Sequence, residues 1–367
     1  MVKRIVLTGG PSSGKTSVLE KIRQVYSTEG YHVIVVSETA TDLINSGIKP
    51  FGDVRTSMID FQELVMQLQL AKEDVVDKAL NMVNSDNVIV IYDRGAIDNT
   101  AYINEEEFQE VLARLNHVKS FTELMDKYDL VINLVGSKDF YTLENNSARS
   151  ESSDEAIKLG ERTLHSWLGH PKLKVVLPKP SLDEKIREVL NIINESLSNK
   201  RVKRQDKYLV DLKDSKLDTV FLGTKAFIEQ TYLMSDEKTE KRLRKVRMHD
   251  DEAYYLSVYR LNEDGEKLIV SEKSIDKKVY DQLLDFQDIR RKTICKTRYY
   301  FTYQGEYFHL DIFGDDPDVG ILEINISGNE KVIIPGYLSV IDDVSKDRNY
   351  SNSMMAMIDD IKRKVLE

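Results

Sequence analysis

At 367 residues the chain exceeds the size at which a single hydrophobic core usually stops growing, so two domains are expected. Its 41% hydrophobic and 31% charged residues exclude a disordered or fibrous chain, and a net charge of −10 argues against general nucleic-acid binding, short of a local basic groove. The lone cysteine, Cys295, excludes an internal disulfide and a cysteine metal site and points to a reducing compartment.

The first apolar run, Ile5–Leu7, leads straight into a glycine loop and has no cleavage site after it, so it reads as a strand and not a signal peptide. Further apolar runs at Val33–Val36, Val88–Ile91, Leu130–Leu134 and Lys174–Leu177 are separated by helically periodic segments. Strands alternating with helices predict a parallel sheet covered on both faces, an α/β domain over residues 1–200. The polar, basic stretch around Ser196–Lys207 has no apolar face, and residues 201–215 are expected to be a linker. Residues 216–367 change texture to alternating apolar and polar positions with turns between them, which predicts antiparallel strands. Helices are expected near Lys277–Asp288 and Asn352–Leu366. No stretch of about 18 apolar residues occurs, so no transmembrane segment is expected and the protein reads as cytoplasmic.

The strand Ile5–Leu7 runs into Gly9-Gly10-Pro11-Ser12-Ser13-Gly14-Lys15-Thr16-Ser17, a G-x-x-x-x-G-K-T motif followed by a periodic helix. Glycines let backbone N–H groups turn inward around phosphate oxygens. Lys15 supplies a charge to the outer phosphates, and Thr16 offers a hydroxyl to Mg²⁺. ATP or GTP is the implied ligand.

Val88–Asp93 ends a buried strand in an acid, where a carboxylate for Mg²⁺ would sit. Arg94 either holds a phosphate or belongs to an ordinary turn. Glu38 ends the second strand at the carboxyl edge of the sheet; it is either a base for water or an acceptor hydroxyl, or the start of the next helix. Arg149 and Arg162, in a segment that reads as a lid, are either clamps on a transferring phosphate or plain surface arginines.

GGPSSGKTS, SETATDLI, FQELVMQLQLAKEDVVDKA and YDRGAIDNTAY together resemble the small P-loop family of bacterial ribosylnicotinamide kinases and related AAA-like domains. That resemblance implies nucleotide binding and says little about an acceptor.

In the second half, Arg242 alternates with Arg244, Lys296 with Arg298, His309 with Asp311, and Glu323 with Asn325. Curled into a barrel, such strands would carry bases for a polyphosphate on one wall and acids for a divalent cation opposite. A half-solvated sheet would show the same pattern on its wet face.

The order IEQTYL, RLRKVR, YYLSVYR, SEKSI, DKKVYDQLLDF, ICKTRYYF, YFHLDIF, ILEINIS resembles the CYTH, or triphosphate tunnel, superfamily. It implies a closed eight-stranded barrel. It also implies metal-side acids at Glu229, Glu323 and Asp311, and phosphate-side bases at Arg242, Arg244, Arg260, Lys296 and Arg298. The family's opening E-x-E-x-K stands here as Phe227, Glu229 and Thr231, and its late acid pair as Glu323 with Asn325. Two carboxylates and a lysine are missing, which favours binding of a phosphorylated small molecule, polyphosphate or inositol-lipid head group over hydrolysis. The joined order resembles the family of the TRPL translocation defect protein. The expected function is Mg²⁺-dependent phosphoryl transfer or hydrolysis at the phosphate loop. The alternatives are a small-metabolite kinase and a non-enzymatic nucleotide switch.

Overall fold

The computed structural model describes residues 2–82, 87–115, 120–136, 153–198, 204–213, 224–249, 251–261, 267–314, 316–326 and 333–358. The chain divides into two compact units, Met1–Lys200 and Arg201–Glu367.

In the first unit β1 (Val2–Thr8), β2 (His32–Val36), β3 (Val88–Asp93), β4 (Leu130–Leu134) and β5 (Leu173–Val176) form a parallel sheet in the order β2-β3-β1-β4-β5. The central strands are nearly continuous apolar runs because both of their faces are covered. Ile5, Leu7, Ile89, Ile91 and Ile132 pack with Val18, Ile22 and Tyr26 of α1 (Lys15–Thr28) and Val189 and Ile193 of α7 (Leu182–Leu197). Between these helices come α2 (Thr39–Asn45), α3 (Met58–Leu80), α4 (Glu105–Arg114), α5 (Phe121–Asp126) and α6 (Ser153–Ser166). A 3-10 turn over Ala96–Ala101 packs against α3, α5 and α6. The carboxyl ends of β1 and β3 lie side by side, with Leu7 paired to Asp93, and this edge is where ligands of open parallel sheets bind.

The second unit contains β6 (Arg204–Asp211), β7 (Lys225–Leu233), β8 (Thr239–Met248), β9 (Asp251–Leu261), β10 (Lys267–Ser274), α8 (Lys277–Leu284), β11 (Ile294–Tyr303), β12 (Glu306–Phe313), β13 (Asp316–Ile326), β14 (Ser339–Asp343) and α9 (Asn352–Met355). The strands form one nine-stranded antiparallel sheet in the order β10-β9-β8-β7-β11-β12-β13-β6-β14. One face carries two apolar clusters. Val210, Phe301, Phe308, Leu310, Leu322 and Ile324 meet Leu338, while Leu233, Leu243 and Tyr254 meet Tyr280 of α8.

The structure departs from two expectations. The stretch 201–215 is not simply a linker, because its residues 204–211 are β6, paired on both sides with β13 and β14. Its basic run hides a strand: Val210 is buried among apolar neighbours on one face, while Lys207 finds Glu323 at 2.8 Å on the other. The second unit is also not a closed barrel among the described residues, since β10 and β14 each have one strand neighbour and stand as the edges of the sheet. The expected C-terminal helix appears as α9, and its remainder falls mainly outside the described residues.

Candidate functional site

The phosphate loop joins β1 to α1 through two backbone positions that demand glycine. Gly9 has φ 134°, and a Cβ there would lie 2.2 Å from the Leu134 carbonyl oxygen. Gly14, at φ 87°, caps α1 in the left-handed conformation. Ser12 also has a positive φ, 57°, so the loop from Gly9 through Pro11, Ser12 and Ser13 bends back over the first turn of α1. Thr16 and Ser17 are exposed on that turn. The Nζ of Lys15 donates to the carbonyl oxygens of Gly9 and Gly10, both at 2.9 Å. Burial pushes the Lys15 ammonium down to about 8, Arg94 works in the same direction, and Glu38 and Asp93 pull it back.

Asp93 ends β3 with its Oδ1 buried and without a hydrogen-bond partner. Burial pushes this carboxyl up to about 6, reinforced by the charge of Glu38 and opposed by Lys15 and Arg94. Arg94 has φ 71°, in the region that non-glycine residues seldom occupy. Its Nε donates to Glu38 Oε1, while its Nη1 is buried without a partner. Glu38 also accepts from Thr41 Oγ1 at 2.8 Å. Burial raises the Glu38 carboxyl, but Arg94 and Lys15 outweigh it and hold the group at about 2. Glu38 stands at the N-cap of α2 without making a capping hydrogen bond, so its side chain is committed to Arg94 and not to the helix end. Lys15, Glu38, Asp93 and Arg94 are therefore one electrostatic cluster at the sheet edge.

Arg149 lies outside the described residues. Arg162 is exposed on α6. That helix approaches the phosphate loop closely: a Cβ on Gly10 would lie 2.8 Å from Gly160 Cα. Gly10→Ala is expected to force α6 off the loop at a cost of roughly 1–3 kcal/mol, read as a lower melting temperature together with weaker nucleotide binding.

In the second unit, strand register sorts the sequence-derived residues onto two faces. Residues directly opposite one another share a face. Arg298 is opposite Asp311, Tyr300 opposite His309, His309 opposite Glu323, and Glu323 opposite Lys207. Arg242 and Arg244 join this face opposite Tyr232 and Gln230. Lys296 Nζ lies 2.5 Å from Asp311, which also accepts from Arg298 Nε at 2.6 Å and Nη2 at 2.7 Å. Glu323 lies 2.8 Å from Lys207 and 3.0 Å from Arg298, and accepts from Gln205 at 3.1 Å. Arg242 bonds Tyr259, and Arg244 bonds Glu272.

Two sequence-derived residues do not join them. Glu229 sits opposite Cys295 and Lys245, on the face that α8 covers, and lies 3.6 Å from Lys245 Nζ. Arg260 is opposite Thr239, alternates with Tyr259, and is exposed. The period of two sends both to the other side.

Residues 4–185 match the family model described as an AAA domain. No curated protein matches the chain. Among solved structures, the hypothetical protein NE1496 is 22% identical over 43% of this chain and 99% of its own, with a TM-score of 0.31. A second structure of NE1496, described as an inorganic triphosphatase, is 20% identical over 44% and 98%, with a TM-score of 0.31. Thymidylate kinase from Candida albicans is 17% identical over 53% and 92%, with a TM-score of 0.33. At such scores these likenesses assign neither activity nor substrate.

The first unit also holds residues that the sequence reading passed over. Lys185, the last residue of the family match, donates from α7 to the carbonyl oxygens of Ser13 at 2.9 Å and Val135 at 2.7 Å, fixing the loop from beneath. Asp98 and Trp167 are buried next to the turn that carries Arg94. Asp98 could have been noticed as the acid three residues after Gly95, whereas Lys185 looks like any charged residue on an amphipathic helix.

Proposed function

We propose that the first unit binds ATP or GTP with Mg²⁺ and transfers the terminal phosphoryl group to water or a small acceptor. The observation that carries this reading is the buried, unpartnered Asp93 Oδ1 beside a G-x-x-x-x-G-K-T loop whose lysine is electrostatically coupled to it. An orphaned carboxylate oxygen with a raised pKa is a suitable ligand for a hard cation, and Thr16 supplies a second oxygen from α1. Mg²⁺ held there would neutralise charge on the outer phosphates. Lys15, released from the Gly9 and Gly10 carbonyls, would add its charge to the same oxygens, and the loop N–H groups would orient them. Arg94 offers its free Nη1 to a phosphate, Arg149 and Arg162 would close over the transferring group, and Glu38 would position the attacking oxygen.

One observation favours a second reading. With Arg94 bound to it and a pKa near 2, Glu38 is a weak proton acceptor, as suits a switch that binds nucleotide and hydrolyses little.

For the second unit we propose a phosphorylated small molecule, polyphosphate or inositol-lipid head group on the face that carries Arg242, Arg244, Lys296 and Arg298. Buried nitrogens of Arg242, Arg244 and His309 have no partner there and can donate to an anion. Asp311 and Glu323 do not fit a metal site, because Lys207, Lys296 and Arg298 already occupy their oxygens. The joined order of a kinase-like and a CYTH-like half supports kinship with the TRPL translocation defect protein, and a small-metabolite kinase is the form of the activity with a specific acceptor.

Turnover and binding of Mg-ATP and Mg-GTP by wild type, Lys15→Ala and Asp93→Ala test the first unit. Lys15→Ala is expected to lower turnover by about two to three orders of magnitude. Tight binding by wild type without turnover would replace transfer with the switch, and no binding would end both readings.

A further inference from the structure

Three parts of the nucleotide site meet at one buried carboxylate. Asp98, 3% exposed, sits in the 3-10 turn that follows Arg94. Its Oδ1 accepts from Thr8 Oγ1 at 2.6 Å and from Trp167 Nε1 at 2.9 Å, and its Oδ2 accepts from the Gly95 backbone N–H at 2.9 Å. Thr8 is the last residue of β1 before the phosphate loop, and Gly95 follows the strained Arg94 and Asp93, whose Oδ1 has no partner. Trp167 follows α6, the helix whose Gly160 rests on Gly10.

The indole seals the other side of this junction. Trp167 is fully buried, and a Cβ on Gly95 would lie 2.8 Å from its ring. The ring also stacks edge-on against Tyr128, whose hydroxyl accepts from the Ala96 N–H at 3.0 Å. A move of α6, of the phosphate loop or of the Asp93-Arg94 turn therefore bears on Asp98 and Trp167 as well as on the contact of Gly160 with Gly10, because close-packed interiors shift between discrete arrangements.

We propose that Asp98 and Trp167 are positioning residues that tie the phosphate loop and the Asp93-Arg94 turn to α6, so that α6 responds to the nucleotide. This rests on nucleotide binding at the loop, as proposed above, and it adds a coupling that binding alone does not require. The chain has a single tryptophan, so its emission reports this junction and nothing else.

The test is a titration of the full chain with Mg-ATP and Mg-GTP. Heat of binding is read by calorimetry and Trp167 emission on the same samples. Wild type is expected to bind and to change its emission. Asp98→Asn places an amide NH₂ among donors; it is expected to bind within a few-fold of wild type and to lose the emission change. Should Asp98→Asn not fold by circular dichroism, Thr8→Val removes one donor to the same oxygen and is expected to give the same loss.

Binding by wild type with no change in emission overturns the coupling and leaves the nucleotide site standing. So does a variant that binds with the wild-type change intact. Absence of heat in wild type overturns nucleotide binding itself, and the coupling with it.

Discussion

Asp93→Asn is expected to make the first unit more stable and to disable it. Burial holds the Asp93 carboxyl at about 6 in the folded chain against an ordinary value of 3.8, so the folded state binds a proton more tightly than the unfolded one. Above pH 6 the charged form is penalised only when folded, and the penalty is relieved as pH falls from about 6 towards 3.8. Each pKa unit is worth about 1.4 kcal/mol, so the buried carboxylate costs the fold about 3 kcal/mol at neutral pH. Asparagine keeps the shape and removes the charge. For a unit of this size a gain of about 3 kcal/mol raises the melting temperature by roughly 6–12 °C near pH 7.5, with little gain near pH 4. The same substitution takes away the oxygen proposed for Mg²⁺, so Mg-ATP should raise the melting temperature of wild type and leave the variant unmoved. A destabilised Asp93→Asn variant would mean that Asp93 is a structural residue with an unseen partner, and its assignment to the metal would fall.

The first unit is legible in sequence because its signals are local. The phosphate loop needs glycine at Gly9 and Gly14 for backbone reasons alone, and a buried parallel strand must be apolar along its whole length, as Ile5-Val6-Leu7 and Val88–Tyr92 are. What the sequence does not show is which charges meet. The bond from Arg94 to Glu38 spans 56 residues, and that from Trp167 to Asp98 spans 69. Both depend on strand order, and no periodicity encodes that.

The second unit shows the opposite balance. Alternation correctly marks Arg242 with Arg244 and Lys296 with Arg298 as facing alike, since period two is a property of any strand. Whether Glu229 or Arg260 shares that face depends on register between strands, which a single sequence leaves free. The strand β6 is hidden for a related reason. Its Lys207 is neutralised by Glu323, far along the chain on β13, so it looks like part of a solvated basic run until that partner is known.

Asp311→Asn is expected to be the costliest single change in the second unit, and Lys296→Met beside it a mild one. Asp311 is shared by two cations, and side-chain exposures of 1% for Asp311 and 2% for Lys296 leave both almost shut off from water, while Arg298, at 14%, keeps an open edge. Burial opposes its charge, but Arg298 and Lys296 hold the carboxyl well below its usual range. Arg298 makes the two-point bond, and burial still pushes the Lys296 ammonium down to about 8, which marks lysine as the surplus cation. Removing the anion leaves both cations buried and short of a partner, a loss of about 3–5 kcal/mol on thermal unfolding. Removing Lys296 leaves Asp311 paired to Arg298 and substitutes a chain of similar length. The pH dependence separates the two further. The wild-type stabilisation from Asp311 is present above pH 3.8 and falls as acid titrates the carboxylate, whereas Asp311→Asn loses that dependence, and the gain in stability as pH rises and Lys296 sheds its proton, already present in wild type, becomes larger. If this face receives a phosphorylated ligand, tripolyphosphate without metal should recover more of the melting temperature in Asp311→Asn than it adds to wild type, because the added anion takes the place of the lost one. Equal losses from the two substitutions would mean that Lys296, not Arg298, carries the pairing; no recovery by tripolyphosphate would leave the cluster as a structural ion network.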